Sequence, residues 1–261
     1  MKKLAPFALA AFAFANVAGA QEQAAPQMVF VVQDVVSPAH MAAYETGTKA
    51  FLRDLAATPG ARETLAWTAV SGPEVGYYYV IPIESWTALG EGFAAWEAAG
   101  TAMGSKWTEH MAANQAHVEE TATMVIMLRP DLSHNLDRTA LTPENAYRHY
   151  TWWYPQPNKT QEAEAVAREY IALFQARGLE DGWRVYQTVM GPDQPAYLVL
   201  TTAPDKAAYN TRDAEITAIL GEDGMKLQAK AMSLARRMTM SEGWMRPDLS
   251  FPPAPQQMGA K

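Results

Sequence analysis

The chain has 261 residues, a formal net charge of −7 and no cysteine. That acidity repels phosphate backbones and anionic lipid, and no Lys/Arg cluster offsets it, so nucleic-acid and membrane-surface partners are excluded. Disulfides, thiol chemistry and Cys-ligated metals, iron–sulfur clusters included, are excluded with the cysteines, so stability must come from burying a core.

The first residues read as a secretory signal. Lys2 and Lys3 form the charged region, a mostly apolar stretch runs from Leu4 to Val17, and Ala18-Gly19-Ala20 is an A-x-A-type cleavage site. The expected signal peptide is 1–20 and the expected mature start is Gln21. Losing the two lysines takes the net charge from −7 to −9. No Cys follows the cleavage site, so no lipid anchor is expected. No later segment is long and apolar enough to span a bilayer. The expected location is periplasmic or secreted.

Met28 to Val36 is apolar except for Gln33 and Asp34, which predicts a strand covered on both faces. Ser37-Pro38 opens a helix with Met41, Tyr44, Phe51, Leu52 and Leu55 on one stripe, and Pro59-Gly60 ends it. Leu65 to Val70 and Gly76 to Ile83 are the next strands, joined by a turn at Gly72-Pro73. A helical region from Trp86 to about His117 follows, broken near Gly100 to Gly104. Thr121 to Leu128 is the fourth strand, stopped by Pro130.

The second half repeats that order. Ala146 to Tyr154 is a strand, Gln161 to Gly178 a helix, and Trp183 to Met190 with Tyr197 to Thr202 a hairpin. Helices cover Asp205 to Leu220 and Met225 to Ala235, and Arg237 to Met245 is the last strand. The repetition extends to residues. Arg129-Pro130-Asp131-Leu132-Ser133 returns as Arg246-Pro247-Asp248-Leu249-Ser250. Gly72-Pro73 with Tyr78 matches Gly191-Pro192 with Tyr197. Phe51 and Leu55 match Tyr170 and Phe174. Offsets of 117 to 119 argue for a duplicated unit. The expected division is a first repeat over 21–133, a linker over 134–145, a second repeat over 146–250 and a disordered tail over 251–261. The repeated pentapeptide reads as punctuation. Pro ends the strand, Asp forms a turn, and the Leu tucks against the edge of the sheet.

A βαββαβ unit is the ferredoxin-like split fold, an α+β class. Its helices cover one sheet face and leave the other bare, and two such units in one chain can pack sheet to sheet. The pattern resembles the dimeric α/β-barrel superfamily in tandem form. The broken aromatic helix from Trp86 to His117 is similar to the corresponding stretch of antibiotic-biosynthesis-monooxygenase-like and NIPSNAP-like domains, and the tandem arrangement resembles chlorite dismutases. The resemblance implies a pseudo-dimeric barrel completed within one chain, either as a monomer or as a homodimer.

On that fold the site is the cavity between the two sheets. Side chains alternate along a strand. Tyr147, His149, Thr151 and Trp153 share one face of the first strand of the second half, and Arg148, Tyr150, Trp152 and Tyr154 the other. Arg148 under a helix would be a buried charge in need of a partner. The His149 face is nevertheless taken as interior. The expected pocket then holds Tyr147, His149, Trp153, Arg184, Tyr186, Thr239 and Ser241, with His149 as the acid–base candidate because its ordinary pKa lies near neutrality. The same residues also suit ordinary packing. No metal set and no cofactor are expected, since no His/Asp/Glu cluster has ligand spacing. By resemblance, heme-binding members place an axial His in the helix before the last strand, which makes His110 the heme alternative. His40 and His134 are expected in solvent. Three readings stay open. The first is a small-molecule-binding barrel, monooxygenase-like and cofactor-independent, acting on an aromatic or polyketide-like compound. The second is a heme protein, and the third a non-enzymatic scaffold.

Overall fold

The computed structural model describes residues 28–72 and 76–252. The predicted signal peptide lies outside the described residues, as do 253–261 of the predicted tail. The elements are β1 (Met28–Val36), α1 (Met41–Ala56), α2 (Ala61–Thr64), β2 (Thr68–Ser71), β3 (Gly76–Ile83), α3 (Trp86–Met103), α4 (Ser105–Gln115) and β4 (Val118–Leu128). The second half holds β5 (Tyr147–Pro155), α5 (Thr160–Ala176), β6 (Arg184–Met190), β7 (Tyr197–Ala203), α6 (Lys206–Leu234) and β8 (Ala235–Met245).

Each half is a βαββαβ unit whose second helix is broken by a glycine in the left-handed region. Gly104 (φ 61°) separates α3 from α4, and Gly221 (φ 53°) kinks α6 at the matching position. A side chain would strain the backbone at either. Ser85 and Asp205 cap the two helices, each accepting from the backbone N–H three residues on.

The eight strands close into one antiparallel barrel in the order β1-β3-β2-β8-β5-β7-β6-β4. Two seams join the halves, and both are short. Strand β2 pairs with β8 only at Val70↔Met245 and Ser71↔Trp244. Strand β4 pairs with β6 over Val125 to Leu128. At the first seam an ideal Cβ on Gly243 would lie 1.7 Å from the carbonyl oxygen of Ser71. Only a glycine lets these backbones approach. Gly243→Ala should therefore cost about 2–3 kcal/mol in urea denaturation, at the upper end for overpacking. An unchanged midpoint would show that the seam can open freely.

The repeated pentapeptide is a pair of latches across these seams. Arg129 ends the first half, and its Nη1 donates to Glu164 Oε1 on α5 of the second half at 2.6 Å. Arg246 ends the second half and grips Glu45 on α1 of the first through two bonds of 2.6 and 2.7 Å. Each arginine also binds the Asp two residues on. Each glutamate accepts from a tyrosine, Tyr197 for Glu164 and Tyr77 for Glu45, at 2.7 Å. Ser133 Oγ and Ser250 Oγ accept from the backbone N–H of Val185 and Ala69. Leu132 and Leu249 are buried beneath, as expected. The counterpart of Tyr197 is thus Tyr77. The sequence match of Tyr78 to Tyr197 slips by one residue, and one residue along a strand is the opposite face.

Two further expectations are corrected. The predicted tail begins inside the fold, because Phe251 is 1% exposed and pairs backbone to backbone with Trp67. His134 occupies the equivalent place in the other half. It pairs with Trp183 and is buried between that ring and Phe174 rather than solvated. His40 is exposed, as expected.

Candidate functional site in the barrel interior

Strand register fixes which side chains point inward. Val29, Val31, Met124, Ile126, Leu128, Tyr186 and Leu198 form one buried cluster that joins both halves, packed with Tyr78, Tyr150 and Trp152. Directly paired residues share a face. Tyr150 is opposite Ser241 and Leu200, Trp152 opposite Thr239 and Leu198, and Arg148 opposite Gly243 and Thr202. The inward row of β5 is therefore Arg148, Tyr150, Trp152 and Tyr154.

This divides the predicted pocket. Arg184, Tyr186, Thr239 and Ser241 do face the interior, together with Arg148, Tyr150 and Trp152. Tyr147, His149 and Trp153 lie on the outer face beneath the helices. Tyr147 donates to Glu242 Oε2 at 2.7 Å. His149 stacks on Tyr209 of α6 with ring centroids 4.7 Å apart. Trp153 packs against Ala163, Val166 and Ala231. The physical reason is that β5 carries aromatic rings on both faces, and the row of Tyr147, His149 and Trp153 packs against the helices at little cost. His149 is thus in a different compartment from Arg184 and Tyr186 and cannot act with them on one bound molecule. Burial lowers its pKa below the ordinary histidine value, while the Asp213 and Glu242 charges oppose that.

One end of the barrel is closed by the linker. Leu136 inserts into the interior cluster. Arg184 Nε donates to Thr139 Oγ1 at 2.8 Å, and its Nη2 to the Leu136 carbonyl at 3.4 Å. Arg148 Nη1 donates to the carbonyls of Asn145 and Tyr147. Both arginines are almost fully buried, at 3% and 4% exposed. Burial pushes the Arg148 guanidinium below its ordinary pKa; nearby Tyr150 opposes that, and the Arg184 charge adds to it. Tyr150 and Tyr186 are both raised, chiefly by burial.

The other end is open. Beyond the short β2–β8 seam, Thr239 is exposed although it points inward, and Ser241, Trp152 and Tyr154 are half-buried. Arg237 lies over the Tyr154 ring at 3.9 Å and pairs with Asp193 at 2.5 Å. The Tyr78 and Tyr150 rings stack across the barrel from opposite halves, 6.3 Å apart.

His110 lies elsewhere, between α1 and α4. Its Nε2 is bound to Asp54 Oδ2 at 3.1 Å, and its ring meets Phe51 edge-on. The nitrogen that would ligate iron is engaged and the ring is walled by Phe51, so these residues do not fit an axial heme site. Among the described residues no group of three or more His, Asp or Glu could hold a metal ion, and no helix is long and apolar enough to cross a membrane.

No protein-family model matches the chain, and no curated protein matches it. Solved structures match its fold. An anthrone oxidase-like protein superposes with a TM-score of 0.58 at 11% identity, covering 85% of this chain and 92% of its own. A protein from Fusobacterium nucleatum, provisionally described as a monooxygenase, gives 0.51 at 10%, covering 84% and 91%. A mutant chlorite dismutase from Candidatus Nitrospira defluvii gives 0.50 at 8%, covering 86% and 94%. At these identities the likeness is one of fold. The chain is a ferredoxin-like α/β barrel, with both repeats supplied by one polypeptide.

Proposed function

We propose that this chain is an exported small-molecule-binding barrel that takes up a planar aromatic compound and acts on it as a cofactor-independent monooxygenase. The supporting observation is the inward row of Tyr150, Trp152, Tyr186, Thr239 and Ser241, which sets aromatic walls and hydroxyls beside an opening to solvent. Such a lining suits a flat ring with a few polar substituents. The fold likeness to an anthrone oxidase-like protein and to a protein provisionally described as a monooxygenase supports the chemistry. Export rests on the leader pattern from Lys2 to Ala20.

The reaction needs no external reductant. A ring methylene gives up both hydrogens, one oxygen atom of O2 becomes the new carbonyl, and the other leaves as water. The barrel's part is to hold the ring and exclude bulk water.

The protein recovered from the periplasmic fraction should quench its tryptophan emission on titration with anthrone, and oxygen uptake should follow with anthraquinone as product. The quench should fall in Trp152→Phe, whose ring faces the interior, and persist in Trp153→Phe, whose ring does not. Equal quenching in both variants, or no binding, would overturn the reading.

A further inference from the structure

Two guanidinium groups share the closed end of the barrel, and neither has a counter-charge. Among the described residues Arg148 and Arg184 make no ion pair. Both latch arginines, Arg129 and Arg246, meet carboxylates. Arg148 and Arg184 meet neutral groups only, namely the carbonyls of Leu136, Asn145 and Tyr147, the hydroxyls of Thr139 and Tyr186, and the Met245 sulfur. Neutral acceptors satisfy N–H groups but do not cancel charge. Two like charges almost fully withdrawn from water are costly unless an anion joins them.

The donors that remain are placed for one. Arg148 Nη2 faces only the Met245 sulfur, at 4.0 Å. The Thr202 hydroxyl, paired in register with Arg148, is buried without a hydrogen-bond partner. Tyr150 and Tyr186 neighbour the two arginines on the same inward face. The linker turn that carries Leu136 and Thr139 closes this compartment from outside, so water is kept from it.

We infer that the Arg148–Arg184 end of the barrel is an anion subsite that takes the carboxylate of an aromatic acid whose ring points toward Trp152 and the open end. A carboxylate fits because a guanidinium offers parallel N–H donors to its two oxygens, and Thr202 can donate a further bond. The aromatic body follows from what lies next along the axis, where Tyr150 is followed by Trp152. The inference deepens the proposed function by naming the substrate class, and it rests on that reading for the ring site alone.

The test is a calorimetric comparison of 2-naphthoate with its neutral isostere 2-naphthamide, on the full mature chain at fixed ionic strength. The acid should bind at least about tenfold tighter than the amide, as expected for a charge-assisted paired contact in a buried site. Arg148→Gln and Arg184→Gln should each abolish that preference while leaving amide binding in place. The wild-type preference needs no variant, so a variant that fails to fold does not rescue the inference. Equal binding of acid and amide would overturn the anion subsite and leave the aromatic barrel standing. An acid preference that survives both substitutions would also overturn it. Failure of both probes to bind would overturn the proposed function as well.

Discussion

Phe251→Ala should cost about 3–5 kcal/mol, the range for deleting a fully buried aromatic ring. Phe251 lies just past the second latch, where the sequence reads as disordered tail. It is 1% exposed, and its ring packs 5.0 Å from Trp67. It belongs to the cluster of Phe51, Leu52, Leu55, Leu65 and Trp67, so the end of the second repeat completes the core of the first. The backbone pairing with Trp67 would survive truncation, and the loss would be of packing alone. Urea denaturation should show a lower midpoint with an unchanged slope, the mark of lost stability without a change in the unfolded state. Phe251→Leu should recover most of the loss. A cost below about 1 kcal/mol would show that the ring is dispensable and that the core of the first half closes without the C-terminal segment.

Much of this architecture was legible because it depends on local pattern. The strands Met28–Val36 and Gly76–Ile83 were predicted to the residue, since apolar runs bounded by Pro and Gly leave little freedom. The break between α3 and α4 followed from Gly104, and the duplication predicted the barrel. What the pattern missed was one residue of phase. The β5 strand carries aromatic residues on both faces, so neither hydrophobicity nor propensity could orient it. The deciding signal was the partner strand. Thr239 and Ser241, expected inside, pair in register with Trp152 and Tyr150 rather than with Trp153 and His149. Register requires knowing that β8 lies beside β5, which is topology and not local pattern. His134 and Phe251 were missed for a related reason. Each follows a polar turn and resembles the start of a loop, and each is buried only because a tryptophan from the other side of its own seam meets it.

The latches make the two halves depend on each other, and their removal should be the largest electrostatic effect in the molecule. Arg129 and Glu164 are 21% and 18% exposed, and Arg246 and Glu45 are 22% and 20%. These pairs are too buried for the small values of surface ion pairs and too wet for the full cost of a broken interior pair. About 2–3 kcal/mol for each Arg→Ala is expected. The two lie on opposite seams and share no partner, so Arg129→Ala with Arg246→Ala should lose about 4–6 kcal/mol. The same networks set an acid limit. Arginine neighbours hold Glu45, Glu164 and Asp248 below their ordinary pKa values, and Asp131 is lowered from 3.8 to about 2. A carboxylate lowered by folding contributes its stability above the unfolded pKa and loses it as pH falls through the folded one. Wild-type stability should therefore decline between about pH 4 and pH 2, and the double variant, already without these pairs, should decline less steeply across that window, the remainder coming from carboxylates such as Asp54 and Asp181 that keep their own partners. Single variants with no measurable cost, or an acid decline in the double variant as steep as the wild type's, would show that the barrel is held by its strand seams and not by the repeated Arg-Pro-Asp-Leu-Ser. The expected result instead makes the duplication itself the stabilising device, since each copy fastens the half to which it does not belong.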